Sequence, residues 1–168
     1  AVAGVMGGLN SAVSKETKTI LIESAFFDAP TIRKSAKALS MNTDASKRFE
    51  RGADPNGAED AFWRIINLIE ELSIGEWVEG IIDAYPKPYT QKEIILTQQK
   101  LDILSGVSLS HDFITRTLIK LGFEVKSSSK EKWKCRPPSW RPDIEREVDI
   151  IEELIRFYGY DKIPSKYH

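Results

Sequence analysis

An α+β fold of two small mixed domains is what the sequence predicts, on three observations. Apolar residues recur at helical spacing near residue 60 and again near residue 150. Two strand-like runs flank a Ser-rich turn near residue 128, and a proline-containing stretch, Tyr85-Pro-Lys-Pro-Tyr-Thr90, separates the two halves. The 168 residues suit one domain or two small ones, and 41% apolar with 29% charged residues is a globular balance with enough material for a core. The formal charge of -1 advertises neither nucleic acid nor an anionic membrane, so a surface for either has to be local. Cys135 is the single cysteine, which excludes an internal disulfide framework and an all-cysteine zinc site and points to a reducing compartment, the cytoplasm by default.

Along the chain, glycines 4, 7 and 8 among small residues predict a strand followed by a glycine turn, where backbone approaches another group closely. The apolar start has no basic segment before it and is too short for a secretory signal, and it opens in mid-pattern without an initiator methionine. The expectation is an internal piece of a longer protein, holding parts of sites. Thr19-Ile-Leu-Ile-Glu23 predicts a short strand with Glu23 at its end, followed by a helix over Ile32 to Leu39. Ser40 to Pro55 is polar and predicts a loop with a short helix. Ala58, Phe62, Ile65, Ile69 and Leu72 then mark an amphipathic helix, and Val78, Ile81 and Ile82 a further strand.

Beyond the linker, Glu93 to Thr97 predicts a strand and Gln98 to Leu104 a short helix. Ser110 or Asp112 caps a helix that ends at Leu121 before Gly122. Phe123 to Lys126 and Lys132 to Arg136 predict a hairpin. After Pro137, Pro138 and Pro142, the residues Ile144, Val148, Ile151, Ile155 and Tyr158 step as a final amphipathic helix.

Three constellations invite chemistry. Asp143, Glu145, Glu147, Asp149, Glu152 and Glu153 face only Arg146, a local balance of -5. Acids at a helix start favour its dipole and cover a solvated face. Alternatively Asp149, Glu152 and Glu153, at i, i+3 and i+4, share one face from which oxygens converge on Mg²⁺, with Asp143 joining only if the chain after Pro142 turns it inward. Arg116 to Arg141 holds eight cations against two acids, with Trp133 and Trp140 among them; this is either a solvated hairpin with core tryptophans or a surface for phosphates and stacked bases. Thr31 to Arg51, with six cations and two acids, is open to the same two readings. Gly4 and Gly7, Glu23 and the small polar residues 43 to 46 offer a pocket for an amine or hydroxyl group, with Glu23 as an ordinary surface acid the alternative. The glycines lack dinucleotide and phosphate-loop order, and His111 and His168 have no partners in sequence for a triad or a zinc site.

Taken in order, Gly4-Val-Met-Gly-Gly8, Leu21-Ile-Glu-Ser-Ala-Phe-Phe27, Thr43-Asp-Ala-Ser-Lys-Arg-Phe-Glu-Arg-Gly-Ala-Asp-Pro55, Pro138-Ser-Trp-Arg-Pro-Asp143 and Asp149 to Pro164 resemble the bacterial phenylalanyl-tRNA synthetase β-subunit family across nearly the whole chain. The resemblance implies a place in an α2β2 ligase that uses ATP and Mg²⁺ to attach phenylalanine to its tRNA and that hydrolyses mischarged tyrosyl-tRNA. Residues 1–85 are similar to the C-terminal part of the editing module and residues 90–165 to a small winged-helix-like domain. By the same resemblance, Gly4 and Gly7 lie against the misactivated amino acid, Glu23 recognises the tyrosine hydroxyl, and Thr43 and Ala45 shape the pocket. Asp143, Asp149, Glu152 and Glu153 match the family's Mg²⁺ positions in a site shared with the α subunit. The implied partners are that α subunit and phenylalanine tRNA, with no membrane. The family's editing histidine has no counterpart here, so the chain alone is expected to be inactive. Gly52-Ala-Asp-Pro55 departs from the more usual Gly-Val-Asp-Pro by a small apolar change.

Overall fold

Four of the six helices among the described residues start on a short polar side chain, Asp28, Thr43, Thr97 or Ser110. The computed structural model describes residues 1–163, which divide into two units between Tyr89 and Thr90. In the first unit, Asp28 Oδ1 accepts the Thr31 N–H at 3.0 Å and opens helix α1 (Ala29–Ala38), with Pro30 in the first turn, where its missing N–H costs nothing. Thr43 and Ser46 form a reciprocal capping box that opens α2 (Asp44–Phe49), each hydroxyl accepting the other's backbone N–H at 3.0 Å. Helix α3 (Ala58–Glu71) turns Ile66 into the interior, while Ile65 and Leu72 of the expected apolar stripe remain exposed. Ser24 Oγ donates to the Ala58 carbonyl at 2.6 Å and ties the extended segment before α1 to the start of α3.

The apolar centre around α1 is small: Val5, Ile32 and Ala36 are buried, and Phe27 and Phe49, edge to face with each other at 4.8 Å between ring centres, pack against them. Gly4 adjoins this cluster at φ +68°, and a Cβ on it would fall 2.5 Å from Ile32 Cδ1. The predicted strand at the start is reduced to a single antiparallel bridge, Val2 to Met6. The strands expected at 19–23 and 78–82 do not form. Their residues have the right composition, but a strand requires an extended neighbour to complete its ladder, and no described segment pairs with either. Leu21 and Ile82 are accordingly 97% and 98% exposed.

The second unit begins with β1 (Ile94–Thr97), α4 (Gln98–Ser105) and α5 (His111–Lys120), followed by the hairpin strands β2 (Glu124–Ser129) and β3 (Lys132–Arg136) and by α6 (Glu147–Tyr158). The antiparallel sheet has the order β1-β3-β2, and two helices followed by a hairpin behind the first strand give it winged-helix character. Register aligns Ile94 with Cys135 and Leu96 with Trp133, so the sheet presents one apolar face to the helices. Leu96, Leu101, Ile114, Leu118, Trp133, Cys135, Ile150 and Leu154 are completely buried there. Trp133 satisfies its indole N–H on Thr115 Oγ1 at 3.0 Å. Burial pushes the Cys135 thiol up to about 12, with the Glu93 charge adding to the effect.

Turn chemistry closes this unit. Gly106 ends α4 at φ +70°. Gly122, at φ +84° after α5, lets the Trp140 ring approach to a distance no Cβ would allow. The final helix starts at Glu147 rather than Ile144, because Asp149 reaches back to the backbone N–H groups of Glu145 and Arg146 at 3.0 and 2.8 Å and fixes Arg146 as the N-cap. Ile144 is buried just outside the helix.

Candidate functional site

The glycine-containing loop and the start of α2 are directly linked. The Thr43 hydroxyl donates to the Val5 carbonyl at 2.5 Å while accepting the Ser46 N–H, so one side chain fixes both the loop after Gly4 and the first turn of α2. Gly4 and Thr43 are half-buried, whereas Gly7, Ala45 and Glu23 are exposed. Glu23 lies on the extended segment, next to the Ser24 anchor on α3, and its carboxylate makes no hydrogen bond or ion pair with another described residue. The structure therefore brings Gly4 and Thr43 together through Val5 and leaves Glu23 on a separate anchor. Two surface depressions lie elsewhere: an open groove at Glu70 and Ser73 to Trp77, and a small cleft among Glu93, Glu124, Lys126, Lys134 and Arg136.

In the second unit the acids are held by arginine. Arg141 Nη2 touches Asp143 Oδ2 at 2.6 Å and Glu153 Oε1 at 2.8 Å, and its Nε donates to Asp143 Oδ1 at 2.9 Å. Arg156 pairs with the other oxygen of Glu153. Burial pushes the Glu153 carboxyl up, but the hydrogen bonds from Arg141 and Arg156 more than offset it and leave it below the ordinary range. Asp143 is lowered chiefly by its hydrogen bonds from Arg141, and the Arg141 guanidinium is raised in turn, by Asp143 first and Glu153 second. Asp149 spends its carboxylate on the helix cap and on Arg146 Nη2 at 3.1 Å, and Glu152 is exposed. Among the described residues, no three His, Cys, Asp or Glu side chains are arranged to hold a metal ion.

Helical spacing places Asp149, Glu152 and Glu153 on adjoining positions, yet Asp149 and Glu153 are held by different partners and Glu152 is exposed. As arranged they do not fit Mg²⁺, which needs several oxygens at once around a small octahedral ion. Glu147, the remaining half-buried acid of this helix, accepts from Thr97 N and Oγ1 at 2.8 and 2.7 Å and pairs with Lys100 at 3.1 Å. Neither this contact nor the role of Arg141 was visible in sequence. Arg141 stands 12 residues from Glu153, and Thr97 stands 50 from Glu147. The Arg-Pro-Asp of 141–143 was the one local signal, since a proline between opposite charges can turn them toward each other.

At least half of the eight cations of the basic stretch, Arg141 included, are paired with acids. Arg116 pairs with Asp112, Lys134 with Glu93, and Arg136 with Glu124. Trp133 is core, and Trp140 is 59% exposed.

Comparison with known proteins gives this arrangement a context. Residues 1–74 match the family model of the B3/4 domain, and residues 94–160 match that of the tRNA synthetase B5 domain. The chain is 47% identical over 165 residues to the phenylalanine–tRNA ligase beta subunit of Salinibacter ruber, with 98% of this chain covered. The chain belongs to the phenylalanine–tRNA ligase beta-subunit family. The beta subunits of Syntrophus aciditrophicus and Thermotoga maritima are 46% and 38% identical over 167 and 168 residues, covering 98% and 99% of this chain. It spans about a fifth of the length of these relatives, 20% for Salinibacter ruber and 21% for the other two. The mixed α/β architecture, with six helices and one three-stranded sheet among the described residues, agrees with a B3/4 domain joined to a B5 domain. None of the described helices is long and apolar enough to cross a membrane.

Proposed function

We propose that this chain serves as part of the beta chain of a phenylalanine–tRNA ligase, an α2β2 enzyme that attaches phenylalanine to its tRNA using ATP and removes mischarged tyrosine. The observation that carries the reading is identity of 38–47% to beta subunits across 98–99% of the chain. In this reading the first unit supplies half an editing pocket. Gly4 and Gly7 approach the amino acid, Thr43 and Ala45 shape its surroundings, and Glu23 accepts the phenolic O–H of tyrosine. An acceptor that tyrosine satisfies and phenylalanine leaves unpaired is a strong discriminator, on the order of 10⁴-fold when the site is closed to water. The link from Thr43 to Val5 supports the pocket because it fixes the glycine-containing loop against α2.

The second unit contacts the α subunit, and Mg²⁺ is a cofactor of the assembled enzyme. Of the four acids Asp143, Asp149, Glu152 and Glu153 that would bind it, Asp143, Asp149 and Glu153 would first have to leave their present arginine and backbone partners. The chain by itself neither charges nor edits.

The test is phenylalanine charging and tyrosyl-tRNA hydrolysis by the full-length parent chain, with and without its co-expressed α subunit. Charging by the pair alone is expected, with Glu23→Ala cutting tyrosyl-tRNA hydrolysis by at least tenfold while charging is retained. A folded, assembled pair that does not charge phenylalanine tRNA would overturn the reading, and Glu23→Ala with full hydrolysis would remove Glu23 from the pocket.

A further inference from the structure

The two basic stretches of the chain fold in opposite ways. From Arg116 to Arg141, folding brings acids in among the cations, and at least half of these are paired. From Thr31 to Arg51 stand six cations, Arg33, Lys34, Lys37, Lys47, Arg48 and Arg51, all of them exposed. None of the six forms an ion pair with a carboxylate among the described residues, Asp44 and Glu50 of the same stretch included. Lys34 feels the charge of Asp28, the cap of its own helix, which leaves five. We propose that this face of α1 and the end of α2 is an RNA-binding surface, taking the phosphodiester backbone at the acceptor end of a tRNA.

The charges are gathered by the fold. Arg33 Nη2 donates to the Glu50 carbonyl at 3.0 Å, which ties α1 to the end of α2 and sets Arg33 beside Arg51. Lys37 lies one turn beyond Arg33 on the same face of α1, and Lys47 one turn before Arg51, so cations about 6 Å apart along each helix form two short rows that meet at this contact. Cations at helix ends suit the helix dipole, which accounts for where they stand. It does not account for the lack of paired acids, since a merely solvated face mixes both signs. Position then selects the anion. The same two helices wall the glycine-containing loop: Ile32 of α1 packs against Gly4, and Thr43 at the start of α2 holds the Val5 carbonyl. Helix α2 is six residues, about 9 Å, long, so the cations at its far end stand one short helix away from the pocket. An amino acid esterified to the 3′ end of a tRNA enters such a pocket with the phosphates of the last nucleotides close behind it. The choice of tRNA rests on the ligase reading; the unpaired charge does not.

The probe is a fluorescein-labelled minihelix of the phenylalanine tRNA acceptor stem with its unpaired 3′ end, titrated with the 168-residue chain and followed by anisotropy. A Kd of about 10⁻⁵ M is expected at about 50 mM salt, and binding roughly 10–20-fold weaker at twice that salt, the scale of five phosphate contacts. Lys37→Gln, Lys47→Gln, Arg48→Gln and Arg51→Gln together should weaken binding at least tenfold and lower the slope of log K against log salt by about 3. Lys134→Gln with Arg136→Gln, which removes two paired cations of the second unit, should change affinity less than about twofold. No binding by the unaltered chain, equal affinity in the fourfold variant, or a loss that follows Lys134 and Arg136 instead would each overturn the inference. Should circular dichroism show the fourfold variant unfolded, two double variants take its place. Lys37→Arg with Lys47→Arg should bind like the unaltered chain and Lys37→Gln with Lys47→Gln at least about threefold more weakly, and equal binding by the two counts against the inference. None of these titrations reads charging, so a failure here is distinct from a failure of the ligase assignment.

Discussion

Gly4 is the residue whose replacement the structure tolerates least in the first unit. Its φ of +68° is one that a side chain disfavours, and a Cβ would lie 2.5 Å from Ile32 Cδ1 and 2.9 Å from the Phe27 ring. Gly4→Ala should therefore destabilise this unit by about 1–3 kcal/mol, strain and overpacking together. Urea unfolding followed by circular dichroism would read it, and a change below about 0.5 kcal/mol would mean the loop relaxes freely. The requirement for glycine was legible in the sequence, since a cluster of glycines among small residues signals close approach. The partners were not, because Phe27 and Ile32 come from a later part of the chain. Thr43 tells the same story: its capping role is written in the Thr-x-x-Ser spacing, while its bond to Val5 joins residues 38 apart.

At the scale of elements, the helices and the hairpin were readable because their determinants are local. Asp28, Thr43, Thr97 and Ser110 cap α1, α2, α4 and α5 within three residues of the N–H groups they satisfy. The runs at 19–23 and 78–82 misled because strand propensity says only that a segment suits a sheet, not that one is available. The last helix was read three residues too early because apolar periodicity continues through Ile144, whereas the cap that decides its start belongs to Asp149 and Arg146.

The start of that helix also carries a measurable tie to β1 and α4. Glu147→Ala would leave the half-buried Thr97 N–H and hydroxyl without their acceptor, at a cost of about 1–3 kcal/mol, with little of it due to the exposed Lys100 partner. Thermal unfolding of the variant tests this, and an unchanged midpoint would show that water replaces the carboxylate. Burial pushes Glu147 up, but the Thr97 and Lys100 hydrogen bonds outweigh it, so like Glu153 it ends below its ordinary value. Lowered carboxylates contribute their full stability above the ordinary range of about 4–4.5, and that contribution is lost as pH falls through the lowered folded-state values. Acid unfolding of Glu147→Ala should accordingly show a shallower loss of stability below about pH 4.5 than the unaltered chain.

Across the whole molecule, apolar burial is uneven. Among the described residues, the second unit buries fourteen in one cluster around Trp133, while the cluster of the first unit holds three. At roughly 1.5–3 kcal/mol for each large side chain removed from water, the difference outweighs anything the surface ion pairs supply. Backbone amides of β1, β3 and α6 should exchange with deuterium at least tenfold more slowly than those of α1 and α3, read by mass spectrometry of peptides from each unit. Equal protection would show that the first unit draws stability from contacts other than its own apolar cluster. The candidate site follows the same division. Its residues in the first unit were gathered from sequence by resemblance, and the geometry joins Gly4 to Thr43 but leaves Glu23 exposed. The acids of the second unit were legible as a cluster, while the arginine that occupies them was not, because charge counting cannot tell a neighbour along the chain from a partner in space.

The Thr43 hydroxyl has a consequence for which sequences this loop can accept. It owns one proton and gives it to the Val5 carbonyl, so its lone pairs are what remain for the Ser46 N–H, and the polarity of the junction is fixed. Valine, equal in shape, would break both ends of that relay together, and serine would keep both. A drifting gene that keeps both bonds is thereby confined at this codon to the two aliphatic alcohols.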